Sequence, residues 1–146
     1  MRSGIIFIAV VMLAAGALAR PDDSLDQLIK RAKSAPERDQ VSLYTEIAER
    51  RLQTADQLYS AGQPGAARDA VSDVITYSEK ATDASVHSSS RLKQTEIALR
   101  KMAAKLRDIR RSISFEDQKP VEEAADRLEK MRTDLLSRMF GSKGEK

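Results

Sequence analysis

His87 stands one turn after Asp83 and directly before Ser88, Ser89 and Ser90, the residue types of a nucleophile, its base and an orienting carboxylate. Their spacing argues against that use. Neighbouring helical residues point in different directions, and a serine nucleophile needs a strained turn and an oxyanion hole. His87 is therefore read as a surface histidine. Glu122, Glu123 and Asp126 fall in the first two turns of a helical segment, where the positive end of the helix dipole favours carboxylates. They are read as neither a metal site nor an acid–base pair. The chain holds no cysteine and one histidine, which excludes disulfides, thiolate metal sites and cysteine nucleophiles, and starves an imidazole site of ligands. No glycine-rich phosphate loop is present. No catalytic, cofactor-binding or metal-ligating residue is assigned, and the chain is expected to be non-enzymatic and to carry no cofactor.

The strongest charge feature runs from Arg91 to Arg111, with eight basic residues against Glu96 and Asp108. Arg100, Lys101, Arg107, Arg110 and Arg111 are the candidate anion-binding face, suited to anionic lipid or a polyanion. No aromatic interleaves the run, so base stacking is not expected and nucleic acid is not named as a partner. A competing reading starts at Glu116–Asp134, which holds seven acids and four bases. If that segment folds back along the same helix, much of the positive field is neutralised within the hairpin.

Those side chains must be positioned by helices, because no strand alternation of useful length occurs. The chain is expected to be all-α, with helices at about 24–34, 36–61, 64–114 and 118–140 in one domain over 20–140 and a flexible tail over 141–146. Ser24 and Gln27 have capping-box spacing. Pro36 and Pro64 suit first turns, where a missing amide proton costs nothing, and Gly62 and Gly141 suit helix ends. Pro120 is read in the same way, opening the last helix near Asp117–Pro120.

Ala67, Val71, Val74, Ser78, Ala81, Ser85, Ser88, Leu92, Thr95, Leu99, Met102, Leu106, Ile109 and Ile113 follow steps of four and three without a slip, the spacing of a coiled-coil seam. An unbroken helix over Pro64–Ile113 would be roughly 75 Å long. The weak point is Val86–Ser90, where three serines compete for backbone hydrogen bonds. The favoured architecture is an extended rod in which two antiparallel hairpins share this central helix. The alternative is a compact four-helix bundle broken near Ser88–Ser90. Folding the chain about residue 63 sets Tyr44, Ala48 and Leu52 against Ala81, Ser78 and Val74, so the serines make room for larger partners. Folding about residue 117 pairs Leu128 with Leu106, and Leu135 with Leu99.

The first nineteen residues carry Arg2, an apolar stretch from Ile5 to Ala14, and Ala17-Leu18-Ala19, the tripartite pattern of a secretory signal peptide with cleavage after Ala19. The apolar run is too short for a spanning helix, so the mature chain is expected to lack a transmembrane span and to be periplasmic or extracellular. Without Arg2 the remaining 24 basic residues barely exceed the 22 acidic ones.

From about Pro21 to Thr82 the chain resembles a bacterial exported helical domain of unknown function. Leu25-Asp26-Gln27-Leu28-Ile29-Lys30-Arg31-Ala32 carries the likeness, followed by Ile47-Ala48-Glu49-Arg50-Arg51-Leu52, Ala55, Gly62, Ala66, Ala67 and Ala70. The same hairpin is similar to a single tetratricopeptide-type unit, with Ala55, Gly62, Ala67 and Val71 at matching positions. The resemblance implies an exported helical module and transfers no catalytic residue; one repeat makes no binding superhelix. The expected role is that of an interaction or structural module of the bacterial cell envelope. It would act through a protein partner or self-association, using apolar residues left over from the seams, such as Leu43, Ile75 and Leu136. Two alternatives stay open: an electrostatic binder with weak contact to an anionic membrane surface, and a periplasmic chaperone-like protein.

Overall fold

The structure, a computed structural model, describes residues 24–141. The leader expected over residues 1–19 and the tail past Gly141 lie outside the described residues. Among the described residues there are five α-helices and no strand: α1 (Leu25–Ser34), α2 (Glu37–Ser60), α3 (Pro64–Ser88), α4 (Leu92–Ser112) and α5 (Phe115–Phe140). The protein is all-α.

Local chemistry sets most of the helix ends. The Ser24 hydroxyl accepts from the Gln27 amide at 3.3 Å, and the Gln27 side chain accepts from the Ser24 amide at 3.2 Å, closing the capping box. Pro36 precedes α2, and Pro64 occupies the first turn of α3. Between α2 and α3, Gly62 adopts φ +71°, a left-handed conformation that glycine reaches without a Cβ penalty.

The central helix is not continuous. It stops at Ser88, and the chain reverses through Ser89–Arg91 before α4 begins at Leu92. Ser89 (φ 50°) and Arg91 (φ 56°) are both left-handed. The Ser90 amide bonds the Ser85 carbonyl at 3.1 Å and the Ser89 amide bonds the Val86 carbonyl at 3.2 Å, a Schellman ending with serine in place of the usual glycine. The serine hydroxyls hold this turn: Ser85 Oγ donates to the Ser90 carbonyl at 2.7 Å, and Ser88 Oγ donates to the Ala84 carbonyl at 2.6 Å. The rod is therefore corrected to the compact alternative. A second correction concerns the 64–114 and 118–140 boundaries. Helix α4 stops at Ser112, Ile113 is extended, and α5 begins at Phe115. Pro120 lies inside α5 rather than in its first turn.

Helices α2 and α3 form one antiparallel hairpin, and α4 and α5 form the other. The hairpins stack with like helices side by side. Asp56 pairs with Lys105 at 2.6 Å between α2 and α4, and Glu79 pairs with Arg127 between α3 and α5. In a rod, residues 79 and 127 would sit roughly 40 Å apart along the axis, so this pair belongs to the folded-back form. The main core gathers Ala48, Leu52, Val74, Leu99, Leu106, Ile109, Val121, Leu128 and Leu135 from both hairpins. Leu106 and Leu128 share it, each with no exposed surface, as the second seam requires. Ser78 and Ser85 are also buried, consistent with small residues facing large ones along the first seam.

Helix α1 lies against the outer side of the first hairpin. Leu28 and Ala32 form a separate cluster with Leu43, Tyr44, Ile47 and Ala81. The result is three layers: α1, then α2–α3, then α4–α5.

Candidate functional site

The parallel packing of α3 on α5 leaves a groove between them. Its upper part, about 560 Å³, is floored by Val71, Ile75, Pro120 and Ala124 and rimmed by Arg68, Glu123, Asp126, Arg127 and Lys130. Its lower part, about 300 Å³, is lined by Glu79, Asp83, Val86, His87, Met131, Asp134 and Arg138. The Glu79–Arg127 pair spans the groove where the two parts meet. Ile75 is half-buried at this floor. Of the three leftover apolar residues, Ile75 therefore floors the groove and Leu136 is half-exposed on α5. Leu43 is not available, since α1 covers it and leaves it 9% exposed.

His87 is exposed on the rim of the lower part, with Asp83 beside it. Ser88 follows His87 as the last residue of α3, its hydroxyl donating to the Ala84 carbonyl at 2.6 Å and sharing a hydrogen bond with Ser90 Oγ at 2.7 Å. The three residue types do not converge on one point in a way that activates an oxygen. Among the described residues no group of three or more histidines, cysteines or carboxylates is placed to hold a metal ion, and no helix is long and apolar enough to cross a membrane.

The basic run is shared out among partners. Arg110 pairs with Glu122 at 2.8 Å, Arg107 with Glu129 at 3.6 Å, and Arg111 with Asp108 at 3.2 Å. Lys105 faces α2 and pairs with Asp56. Lys101 also faces α2 and lies close enough to Glu49 to oppose the rise of that carboxyl; the Glu49 pKa stays above the usual carboxylate range because lost hydration dominates, with Glu46 adding to it. Arg100 and Lys93 are exposed on the outer side of α4. The five residues of the candidate anion face thus divide: Arg100 projects to solvent, while carboxylates stand against Lys101, Arg107, Arg110 and Arg111. Arg132, on α5, closes the outer edge by bonding Glu96 at 2.6 Å and Glu129 at 3.3 Å.

No family model, no curated protein and no solved structure matches this chain. The functional reading therefore rests on its own surfaces.

Among the described residues, two aromatics that the helical pattern did not single out are the exposed large apolar groups, Phe115 at 87% and Phe140 at 66%. They cap opposite ends of α5. Phe115 could have been found from the helix boundary: it directly follows the Ile113–Ser114 break, so it begins a helix instead of filling a seam. Tyr44 and Tyr77 are 6.1 Å apart between ring centroids, with the Lys80 ammonium 5.7 Å from the Tyr44 ring; they bound the α1 cluster. Tyr59 lies at the other end of α2. Burial pushes its phenol pKa up, Asp117 adds to the rise, and its hydroxyl has no hydrogen-bond partner. That is a cost to stability, not a reactive group.

Proposed function

We propose that this chain is a non-enzymatic, exported helical module of the bacterial cell envelope that works by accepting amphipathic helices into the seams between its own. The observation that carries the reading is α1. A ten-residue helix packs along α2, and its apolar positions Leu25, Leu28, Ile29 and Ala32 join a cluster with Leu43, Tyr44, Ile47 and Ala81. This is recognition of an amphipathic helix through anchors three and four residues apart. The groove between α3 and α5 offers another apolar surface for such a helix. It has an apolar floor around Ile75 and charges of both signs on its rim. Export is supported by the leader pattern in the first nineteen residues.

A photo-crosslinking amino acid at position 75, expressed in a bacterial envelope, tests the reading. Discrete light-dependent adducts are expected at position 75 and not at position 100 on the outer side of α4. Absence of adducts at position 75, or an equal yield at both positions, would overturn it.

The exposed Lys93 and Arg100 on α4 favour a second reading, weak contact with an anionic membrane surface. Vesicles containing anionic lipid should then bind the chain at low salt and release it as screening shortens the range of the charges. Lys93→Glu combined with Arg100→Glu should abolish that binding.

A further inference from the structure

We propose that the apolar patch of Leu43, Tyr44, Ile47 and Ala81 on the first hairpin is a helix-binding site whose built-in occupant is α1, packed on α2, and that α1 of a second copy takes its place by reciprocal exchange. The proposal rests on the helix-accepting role above and names its first ligand.

Several independent features of α1 point the same way. Its contacts form a cluster separate from the main core: Leu28 and Ala32 meet Leu43, Tyr44, Ile47 and Ala81, while the core that joins α2 to α5 contains no residue of α1. Removing α1 therefore leaves the four long helices packed. Helix α1 also satisfies its own ends. The capping box closes its start, and Ser34 Oγ donates back to the Arg31 carbonyl at 3.3 Å near its finish. It needs no other helix to complete those caps.

The connection to α2 is made of Ala35 (φ −76°, ψ 154°) and Pro36 (φ −58°, ψ 148°), both extended. Among the described residues no backbone hydrogen bond joins α1 to α2 across them. Rotation at this joint swings α1 away without breaking a helical turn. What stays behind is an apolar seam of Leu43, Tyr44, Ile47 and Ala81, which water solvates poorly, so it must be covered again. The sequence shown to fit it is Leu25-x-x-Leu28-Ile29-x-x-Ala32. Ala32 has no exposed surface, so a bulkier residue at that point would be rejected. The same short helix on another copy meets both requirements.

Pro36 decides how often this happens. The residue before a proline is turned away from the helical region, which keeps Ala35 extended and lets α1 fold back on its own hairpin. With Pro36→Ala, α1 can run straight into α2 as one rigid helix. It then cannot reach its own seam and must seat on a partner copy, a route to exchange through a changed hinge.

The test uses the full chain. Light scattering after size exclusion should find Pro36→Ala at twice the mass of the wild type at equal concentration. A second readout mixes two preparations of the chain that carry different affinity tags and holds them at high concentration. Co-purification of the second tag several-fold above a control pair in which residues 24–34 are deleted supports exchange. A monomeric Pro36→Ala chain together with no excess over the control overturns it. The Ile75 crosslink, read on the Pro36→Ala chain, separates the two ideas: adducts without exchange refute this proposal and leave the general reading standing.

Discussion

Leu128→Ala probes the junction on which the compact form depends. The leucine has no exposed surface and sits in the core that draws α4, α5 and the first hairpin together. Its truncation removes three carbons, about 2.4 kcal/mol of transfer free energy at about 0.8 kcal/mol each. The cavity left behind brings the expected loss to about 3–5 kcal/mol. A domain of this size holds about 5–15 kcal/mol in all, so the variant should stay folded yet melt about 10–20 °C lower, at about 4 °C for each kcal/mol. Thermal and urea unfolding followed by far-UV circular dichroism would read both. Phe115→Ala, at a side chain 87% exposed, should cost less than about 0.5 kcal/mol. Because Leu106 shares the cluster, the double variant with Leu106→Ala should depart from additivity by about 0.5–3 kcal/mol. If Leu128→Ala and Phe115→Ala lowered the midpoint equally, or the two leucine losses simply added, the packing argument would fail.

Other consequences can be checked on the same instruments. Ser89→Gly should raise stability by about 0.5–1 kcal/mol, because Ser89 holds φ 50° at a helix ending that glycine occupies without strain; an unchanged or lower urea midpoint would contradict this. Arg127→Glu sets two like charges across the groove at Glu79. A loss of about 0.5–1 kcal/mol is expected, shrinking in high salt as befits a solvent-facing pair. The raised Glu49 pKa means that its charged form is disfavoured in the fold. Its favourable protonated contribution is complete below the unfolded value of 4.5 and is lost as pH rises through the folded pKa. Glu49→Gln should therefore be more stable than the wild type at neutral pH, with the gap closing toward pH 4; a gap constant with pH would refute the assignment.

The parts of the fold that the sequence makes legible are those written in proline, glycine and side-chain size. Pro36, Gly62 and Pro64 mark real helix boundaries because each residue excludes the alternative conformations. The α4–α5 seam could be paired on paper because large residues on both helices recur at helical spacing and bury one another. The break at Ser89 could not be read the same way. Its left-handed backbone falls on serine and arginine, and its stabilising bonds come from hydroxyls that also tolerate a helix. The apolar rhythm continues across it because both hairpins face one core, so the rhythm carries no information about the reversal. Pro120 misled for a related reason: a proline in α5 past the first turn resembles one that opens a helix. The groove at Ile75 was legible only as a leftover apolar position. The approach of α5 that shapes it depends on contacts between hairpins, such as Glu79 with Arg127, whose distance in sequence hides them.

The three-layer order also limits how such a protein could enlarge. One outer side is already occupied by α1, and the other is bound along its edge by Glu96, Arg132, Glu129, Arg107, Glu122 and Arg110. A duplicated hairpin appended at either terminus would meet a finished surface. Genetic lengthening would be tolerated at the reversal between Ser88 and Leu92, where an inserted pair of helices could enter the middle of the pile and inherit apolar neighbours above and below.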